Sequence, residues 1–302
     1  MTVTAAPPVT RGSSVPGRPA SPGRPRDSPS ASTASLAVLS VVCTWVALQV
    51  LFLGGLSQER DQSALYERFR GELAAATAPT GGTIPPGAPV ALLVVPSLGL
   101  EQVVVEGTAS GDLLAGPGHR RDTTLPGQTG VSLLYGRTRS YGAPFAKITS
   151  LQAGDRIVTQ TAQGRSTFRV EGVRRAGDPV PQAPAADAGR LTLVTAEGSG
   201  RLAALSPGST VYVDAALETK PFTPPPGRPL AVPEPERAMA ADTSVLPLLS
   251  LCLGALLAVA VAVAWLRQRW SLALVWVLAA PVVISLSWVT TDVAMSLLPN
   301  LL

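Results

Sequence analysis

Hydrophobic residues follow two distinct patterns along this chain of 302 residues. Continuous apolar runs occupy residues 36–56, 245–266 and 272–289. Each run matches the roughly 20 residues that a helix needs to cross a hydrocarbon core of about 30 Å. From residue 89 to residue 217 the apolar positions instead fall in short runs separated by turn residues, as in β-strands. The pattern predicts three transmembrane helices and one mainly β domain, either a closed barrel or a sandwich.

Seven short runs are the expected strands of the β domain. They are residues 90–95, 103–106, 131–135, 156–161, 166–173, 191–195 and 210–215. The run at 191–195 is mostly apolar, which is typical of a buried central strand. Residues 109–114 are expected to form a short helix.

Composition divides the rest of the chain into segments. The predicted division is a disordered cytoplasmic tail (1–34), a first transmembrane helix (35–56), a juxtamembrane helix and linker (57–88), the β domain (89–217), a Pro-rich linker (218–244), and two further transmembrane helices (245–266 and 271–291). The tail has seven prolines and almost no large apolar side chain, so it cannot bury enough surface to fold. The Pro-rich linker is expected to be an extended spacer.

The juxtamembrane segment carries a helical pattern. Leu65, Phe69 and Leu73 are spaced by four residues, which places them on one face of a helix. A run rich in Pro and Gly then breaks the helix. We expect a stalk between the membrane and the β domain.

Arginine residues set the expected orientation in the membrane. Four of them precede the first apolar run, and Arg267 and Arg269 lie between the second and third runs. The positive-inside rule places both groups in the cytoplasm. The chain is therefore predicted to be a multi-pass membrane protein with a cytoplasmic N-terminus and an extracytoplasmic β domain.

Composition excludes several kinds of chemistry. The net charge of +4 is spread among interspersed acidic and basic residues, which gives no sign of nucleic-acid binding. Cys43 and Cys252 both lie in predicted membrane helices, so thiol chemistry is not expected in the β domain. No metal ion or other cofactor is predicted. Basic charge is carried by 22 Arg and 2 Lys, which together with abundant Ala, Pro and Gly suggests an actinobacterial genome of high G+C content.

Four blocks of sequence lie in a characteristic order. They are Val-Pro-Ser-Leu-Gly-Leu at 95–100, Val-Glu-Gly-Thr at 105–108, Gly-Pro-Gly-His at 116–119 with Thr-Leu-Pro-Gly at 124–127, and Tyr-Gly-Ala-Pro-Phe at 141–145 followed by Leu-Gln-Ala-Gly-Asp at 151–155. Together they resemble the sortase family, the cell-surface cysteine transpeptidases of Gram-positive bacteria, and in particular an actinobacterial class E-like domain. The resemblance implies an eight-stranded β-barrel with an active site at the ends of its later strands.

The residues that the resemblance implies for catalysis are replaced. The family has a catalytic histidine in Gly-His-Arg, whereas this chain has Gly-Arg-Thr at 136–138, with Arg137 at the histidine position. The family nucleophile is a cysteine, and its position is occupied by Ala196. A guanidinium does not exchange protons near neutral pH, and a methyl group cannot form an acyl-enzyme. The family reaction is therefore expected to be lost.

The third family residue is an arginine, and two alignments stay open for it. Arg201 takes that position across a shortened loop, or Thr210 takes it on the last strand. The candidate binding groove consists of Arg137, Tyr141, Thr195, Glu197 and Arg201.

Several of these residues have two interpretations. Arg137 is either a surface arginine or a pocket residue that binds a peptide carboxylate or an envelope phosphate. Glu197 is interpreted as a solvated carboxylate, with the role of a base as the alternative. His119 is the only histidine and is interpreted as a structural turn residue in preference to a transplanted base.

Three functions are compatible with the sequence. The leading hypothesis is a membrane-anchored pseudosortase that binds a sorting-signal peptide, an active sortase or another envelope protein. The second is a divergent transpeptidase or hydrolase that uses Thr195, Ser199 or a hydroxyl elsewhere as a replacement nucleophile. The third assigns partner binding to the hairpin of the last two membrane helices, with the barrel as a sensor. No predicted span has an interior charged side chain, so an ion path is not expected.

Overall fold

A computed structural model describes residues 2, 40, 43–45, 48–49, 53–198 and 209–302. The chain divides into two compact units, Met1–Cys43 and Thr44–Leu302, and the second contains the helices and strands described here. The predicted tail, 1–34, and most of the predicted first span, 35–56, lie outside the described residues.

Helices and strands follow one another as the sequence pattern indicates. The helices are α1 (Gly54–Ala74), α2 (Leu246–Leu266) and α3 (Leu272–Met295). The strands are β1 (Pro89–Val95), β2 (Leu100–Glu106), β3 (Gly118–His119), β4 (Gly130–Tyr135), β5 (Arg156–Thr161), β6 (Gly164–Arg175), β7 (Gly189–Glu197) and β8 (Ser209–Leu217). They form a closed barrel in the order β1-β2-β3-β4-β7-β8-β6-β5. The prediction of a mainly β domain with a closed barrel of about eight strands is confirmed.

The central strand β7 of the barrel is apolar along most of its length. Strand β7 pairs in parallel with β4, from Gly130 opposite Gly189 to Tyr135 opposite Val194, and antiparallel with β8. Seven of its nine residues are buried, as expected for a strand covered on both faces. The parallel pairing brings the ends of β4 and β7 to the same edge of the barrel.

The core fills the barrel interior with aliphatic and aromatic side chains. Its largest fully buried members are Leu93, Leu134, Phe145, Ile148, Ile157, Phe168, Leu191 and Leu193. Burying each such side chain contributes roughly 1.5–3 kcal/mol. The interior is therefore a packed core.

Helix α1 packs on the barrel, so the predicted stalk is wrong. Phe69 is buried against Val103 of β2, with Leu65 and Leu73 beside it. Polar contacts add to this, since the Gln62 side chain bonds the backbone of Val103. The apolar stripe that predicts the helix covers the barrel wall.

The Pro-rich segment 218–244 is also not a free spacer. Phe222 donates its backbone N–H to the Gly127 oxygen (2.8 Å) and accepts from the Thr129 N–H (3.0 Å). Further along, the Glu236 side chain is buried and pairs with Arg121. The segment therefore returns along the barrel through specific contacts.

Two helices are long and apolar enough to cross a membrane, Thr243–Leu266 and Ala273–Met295, in the part of the chain that the structure describes. Helix α3 continues beyond the predicted end of its span at 291 and includes Asp292. The predicted span itself, 271–291, contains no charged side chain, and Asp292 follows it in the last turn of the helix. Asp292 is accommodated there because the Tyr141 hydroxyl donates a hydrogen bond to it.

Candidate functional site

The edge where β4 and β7 end brings together the two positions that the resemblance marks as catalytic. After β4, the Gly136 N–H donates to the Val194 oxygen (3.0 Å). Thr138 Oγ1 then lies 2.7 Å from the Ala196 oxygen. Residues 136–138 thus run beside the end of β7. Glycine is needed at 136, because a Cβ there would lie 2.4 Å from the Phe145 ring.

Arg137 is a fully buried arginine, with 0% of its surface exposed. Its Nη2 donates to Ser110 O (2.8 Å) and Oγ (2.7 Å), and its Nη1 donates to Ser140 Oγ (3.0 Å) and to the Leu302 oxygen (3.4 Å). Burial lowers the pKa of Arg137 to about 10, so the guanidinium remains charged at neutral pH. The surface interpretation is wrong, and in this conformation its Nη donors are already occupied by groups of the same chain.

Tyr141 lies against the same arginine, whose guanidinium carbon is 5.7 Å from the ring centroid. The backbone of Tyr141 has φ +49°, a conformation that non-glycine residues rarely adopt. Its hydroxyl donates to Asp292 Oδ1 (2.6 Å). Burial and this contact with Asp292 raise the pKa of Tyr141. Tyr141 therefore ties the loop after β4 to the end of α3.

Ala196 lies in a small apolar cluster rather than in an open cleft. It is 3% exposed and packs with Leu113, Tyr135, Val194 and Leu301. Leu301 belongs to the residues that follow α3, here called the groove segment (residues 296–302). The groove segment covers the position that the resemblance assigns to the nucleophile.

Thr195, the predicted replacement nucleophile within the described residues, is fully buried. Its Oγ1 donates to the Gly136 oxygen (2.9 Å) and lies 2.7 Å from Thr138 Oγ1. These partners are a carbonyl and a hydroxyl, and neither is a base that could activate it. A hydroxyl that bonds local backbone in this way is a structural group.

Of the other predicted site residues, Glu197 lies apart from this group and Thr210 lies beside Ala196. Glu197 is at the exposed end of β7 and accepts from Arg175 Nε (2.7 Å), and this hydrogen bond lowers the pKa of Glu197. Thr210 is paired with Ala196 across β7 and β8. Arg201 and Ser199 lie outside the described residues. The structure thus brings Arg137, Tyr141 and Thr195 together with Ala196 and leaves Glu197 outside that group.

His119 is buried in β3 and takes part in structural contacts. Its Nδ1 lies 2.8 Å from Glu106 Oε2, and its Nε2 lies 3.0 Å from the Thr124 oxygen. Both ring nitrogens are therefore occupied by neighbouring strands and turns. Across the residues that the structure describes, no group of three or more His, Cys, Asp or Glu side chains is arranged to hold a metal ion.

Sequence reasoning missed the groove segment. Asn300 is fully buried and its carboxamide donates to the oxygens of Thr108 (2.7 Å) and Arg237 (2.9 Å). Pro299 and Asn300 follow the third apolar run, but no periodicity or motif relates them to β7, about 100 residues earlier. The sequence does not show that the groove segment contacts the end of β7, because the two are far apart along the chain and only the fold brings them together.

The closed barrel, with its candidate site at the ends of β4 and β7, defines a mainly β protein whose candidate site lies at one edge of the barrel. Residues 93–206 match the family model of the sortase domain. This match supports membership of the sortase family for this part of the chain. No match was found among curated protein sequences.

Several solved sortase structures are similar to this chain. A Sortase D5 transpeptidase of Clostridium perfringens is 21% identical, covers 53% of this chain and 99% of its own, and has a TM-score of 0.43. The SrtA sortase of Actinomyces oris is 28% identical, with coverage of 46% and 84% and a TM-score of 0.40. Sortase E of Streptomyces avermitilis is 25% identical, with coverage of 51% and 100% and a TM-score of 0.37.

Proposed function

We propose that this protein is a membrane-anchored pseudoenzyme: a sortase-like domain that binds a partner in surface-protein sorting or envelope assembly and does not catalyse transpeptidation. The partner is a sorting-signal peptide, an active sortase or another envelope protein. The membrane anchor consists of α2 and α3, together with the predicted span at 35–56, and the barrel lies outside the cytoplasm.

One observation carries this proposal. The position expected for the nucleophile is Ala196, which is 3% exposed and lies in one buried cluster with Leu301, while the position expected for the base is the buried Arg137. Among the described residues, the hydroxyl beside this position, that of Thr195, contacts no base. In a serine protease, loss of the nucleophile alone lowers turnover on the order of 10⁶-fold.

Turnover by the full-length protein tests this proposal. The protein, in lipid nanodiscs, is incubated with a panel of sorting-signal peptides and amine acceptors, and products are detected by mass spectrometry beside an active sortase as control. We expect no cleaved or transferred peptide. A product that is lost in the Thr195→Val variant would instead establish an enzyme with a threonine nucleophile.

A further inference from the structure

The groove segment is held by hydrogen bonds that select one type of side chain. Asn300 donates through Nδ2 to the oxygens of Thr108 and Arg237, and its Oδ1 accepts from the Met239 N–H (3.0 Å). Its backbone N–H donates to the Ala240 oxygen (3.0 Å). A carboxamide both donates and accepts, whereas an ionised carboxylate only accepts. This pocket therefore selects asparagine over aspartate.

The wall of this pocket is held in an unfavourable backbone conformation. Met239 has φ +63°, which a non-glycine residue adopts only at an energetic cost that its surroundings offset. The Met239 N–H is the group that meets Asn300 Oδ1. The chain around residues 237–240 is thus shaped to receive a carboxamide.

The next position of the groove segment fills an apolar pocket. Leu301 is 0% exposed and packs with Leu113, Tyr135, Val194 and Ala196. Ala196 therefore forms part of the pocket that binds the leucine. The position that the resemblance assigns to a nucleophile is here a binding surface.

Main-chain oxygens of the groove segment are also bound. The Leu301 oxygen accepts from the Thr138 N–H (3.2 Å), and the Leu302 oxygen accepts from Ser140 Oγ (2.7 Å). Arg137 Nη1 is the second donor to the Leu302 oxygen. These contacts recognise peptide backbone, whatever side chain it carries.

We infer that the groove is a peptide-binding site for the sequence Asn-Leu-Leu, occupied in the native chain by residues 300–302. A partner protein that presents the same sequence binds there when the groove segment leaves. Asn300 provides the specificity, the Leu301 pocket the apolar contact, and Arg137 with Ser140 the backbone recognition. The inference rests on the proposed non-catalytic binding function.

Thiol accessibility tests whether the native groove is occupied. The full chain, with Cys43→Ser and Cys252→Ser to remove its own thiols, receives either Ala196→Cys or, as control, Val180→Cys at a site that is 80% exposed. We expect maleimide to label Ala196→Cys at least about 100-fold more slowly than the control, because labelling requires local opening. Addition of Leu301→Asp, which places a charge in the apolar pocket, should increase the rate at least about tenfold.

Peptide binding tests the specificity of the emptied groove. The probe is a fluorescein-labelled Met-Ser-Leu-Leu-Pro-Asn-Leu-Leu amide, which copies residues 295–302. By fluorescence anisotropy it should bind the Leu301→Asp chain at least about tenfold more tightly than the native chain, and it should again protect the Ala196→Cys thiol. The same peptide with Asp in place of Asn should neither bind more tightly to the Leu301→Asp chain nor protect the thiol.

Removal of residues 298–302 opens the groove without adding a charge. It provides a second variant if Leu301→Asp does not fold.

Two results would overturn the inference. One is labelling of Ala196→Cys at the rate of Val180→Cys in the otherwise native chain, which would show that the groove is open. The other is equal binding of the Asn and Asp peptides to the opened chain, or no binding of either. Turnover by the native chain would contradict the proposed function, whereas an accessible thiol would contradict only the occupancy of the groove.

Discussion

At the scale of single residues, the most unusual group is the Arg137 guanidinium, which is buried at the position expected for a histidine. Two serine hydroxyls and two main-chain oxygens satisfy its Nη groups, while its Nε has no hydrogen-bond partner among the described residues. A buried charge is stable only when such partners compensate for lost hydration. Arg137 therefore holds the segments of the site together through its hydrogen bonds.

Replacement of Arg137 should destabilise the fold. Arg137→Ala leaves Ser110 and Ser140 without their buried donor and should lower the free energy of unfolding by about 2–4 kcal/mol. The matched control is Arg139→Ala in the same loop, where the side chain is exposed and the change should stay within about 0.5 kcal/mol. Denaturant or thermal unfolding of the two variants in the same lipid environment checks this. Equal stability of both variants would show that the buried contacts of Arg137 contribute little.

Asp112, beside the Leu301 pocket, is the residue whose effect should depend on pH. Burial raises its pKa from 3.8 to about 6 in the folded protein. The folded state then binds more protons than the unfolded state between about pH 4 and 6, so stability decreases as pH rises through this interval. Asp112→Asn removes the cost of the buried charge and keeps an oxygen that accepts from the Ala109 N–H.

We expect Asp112→Asn to stabilise the protein by about 1–3 kcal/mol at pH 7.5 and to have no effect near pH 4, where the native side chain is already neutral. Thermal unfolding at both pH values checks this. The exposed Asp187→Asn is the control and should change stability at neither pH. A stabilisation by Asp112→Asn that is the same at both pH values would count against ionisation as its cause.

At the scale of elements, helix α1 pairs with the part of β2 that the short strand β3 does not reach. Strand β3 has only two residues, and it pairs with β2 only at Val105 and Glu106. Earlier in β2, the Gln62 side chain accepts from the Val103 N–H (2.7 Å) and donates to the Val103 oxygen (3.0 Å). A side-chain amide thus takes the place of a neighbouring strand at this edge.

Removal of this amide should loosen α1 from the barrel. Gln62→Leu keeps the size of the side chain but leaves a buried N–H and a buried carbonyl of Val103 unpaired, which should cost about 2–4 kcal/mol. Ser63→Ala, on the exposed face of the same helix, should cost less than about 0.5 kcal/mol. Unfolding temperature and proteolysis within α1 report the difference. If both variants were equally resistant, the helix would be held by its apolar face alone.

The sequence predicts where helices and strands lie along the chain better than it predicts which surfaces they pack against. Alternating and continuous apolar runs identify seven of the strands, because burial imposes that pattern locally. β3 escapes prediction, since two residues carry no periodicity. The stripe of Leu65, Phe69 and Leu73 predicts a helix but not the surface that it covers. Proline content likewise predicts an extended segment at 218–244 but not the backbone contacts of Phe222 that bind it to the barrel.

At the scale of the whole molecule, the barrel, the Pro-rich return and the residues after α3 meet at one place. The ends of β4 and β7 provide one side of the groove, residues 237–240 provide another, and the groove segment fills it. The same region is linked to α3 through Tyr141 and Asp292. Any movement of α3 relative to the barrel would therefore also move the groove segment.

Turnover by native and opened protein is the most direct test of the account, because it separates a covered enzyme from one that lacks its reactive groups. The native chain and the Leu301→Asp chain are assayed side by side in nanodiscs, with the same peptide panel and an active sortase as control. We expect no product from either chain, since the nucleophile position in the groove carries the methyl group of Ala196. Product from the opened chain would mean that the groove segment inhibits a working active site, and the claim of a pseudoenzyme would then be wrong.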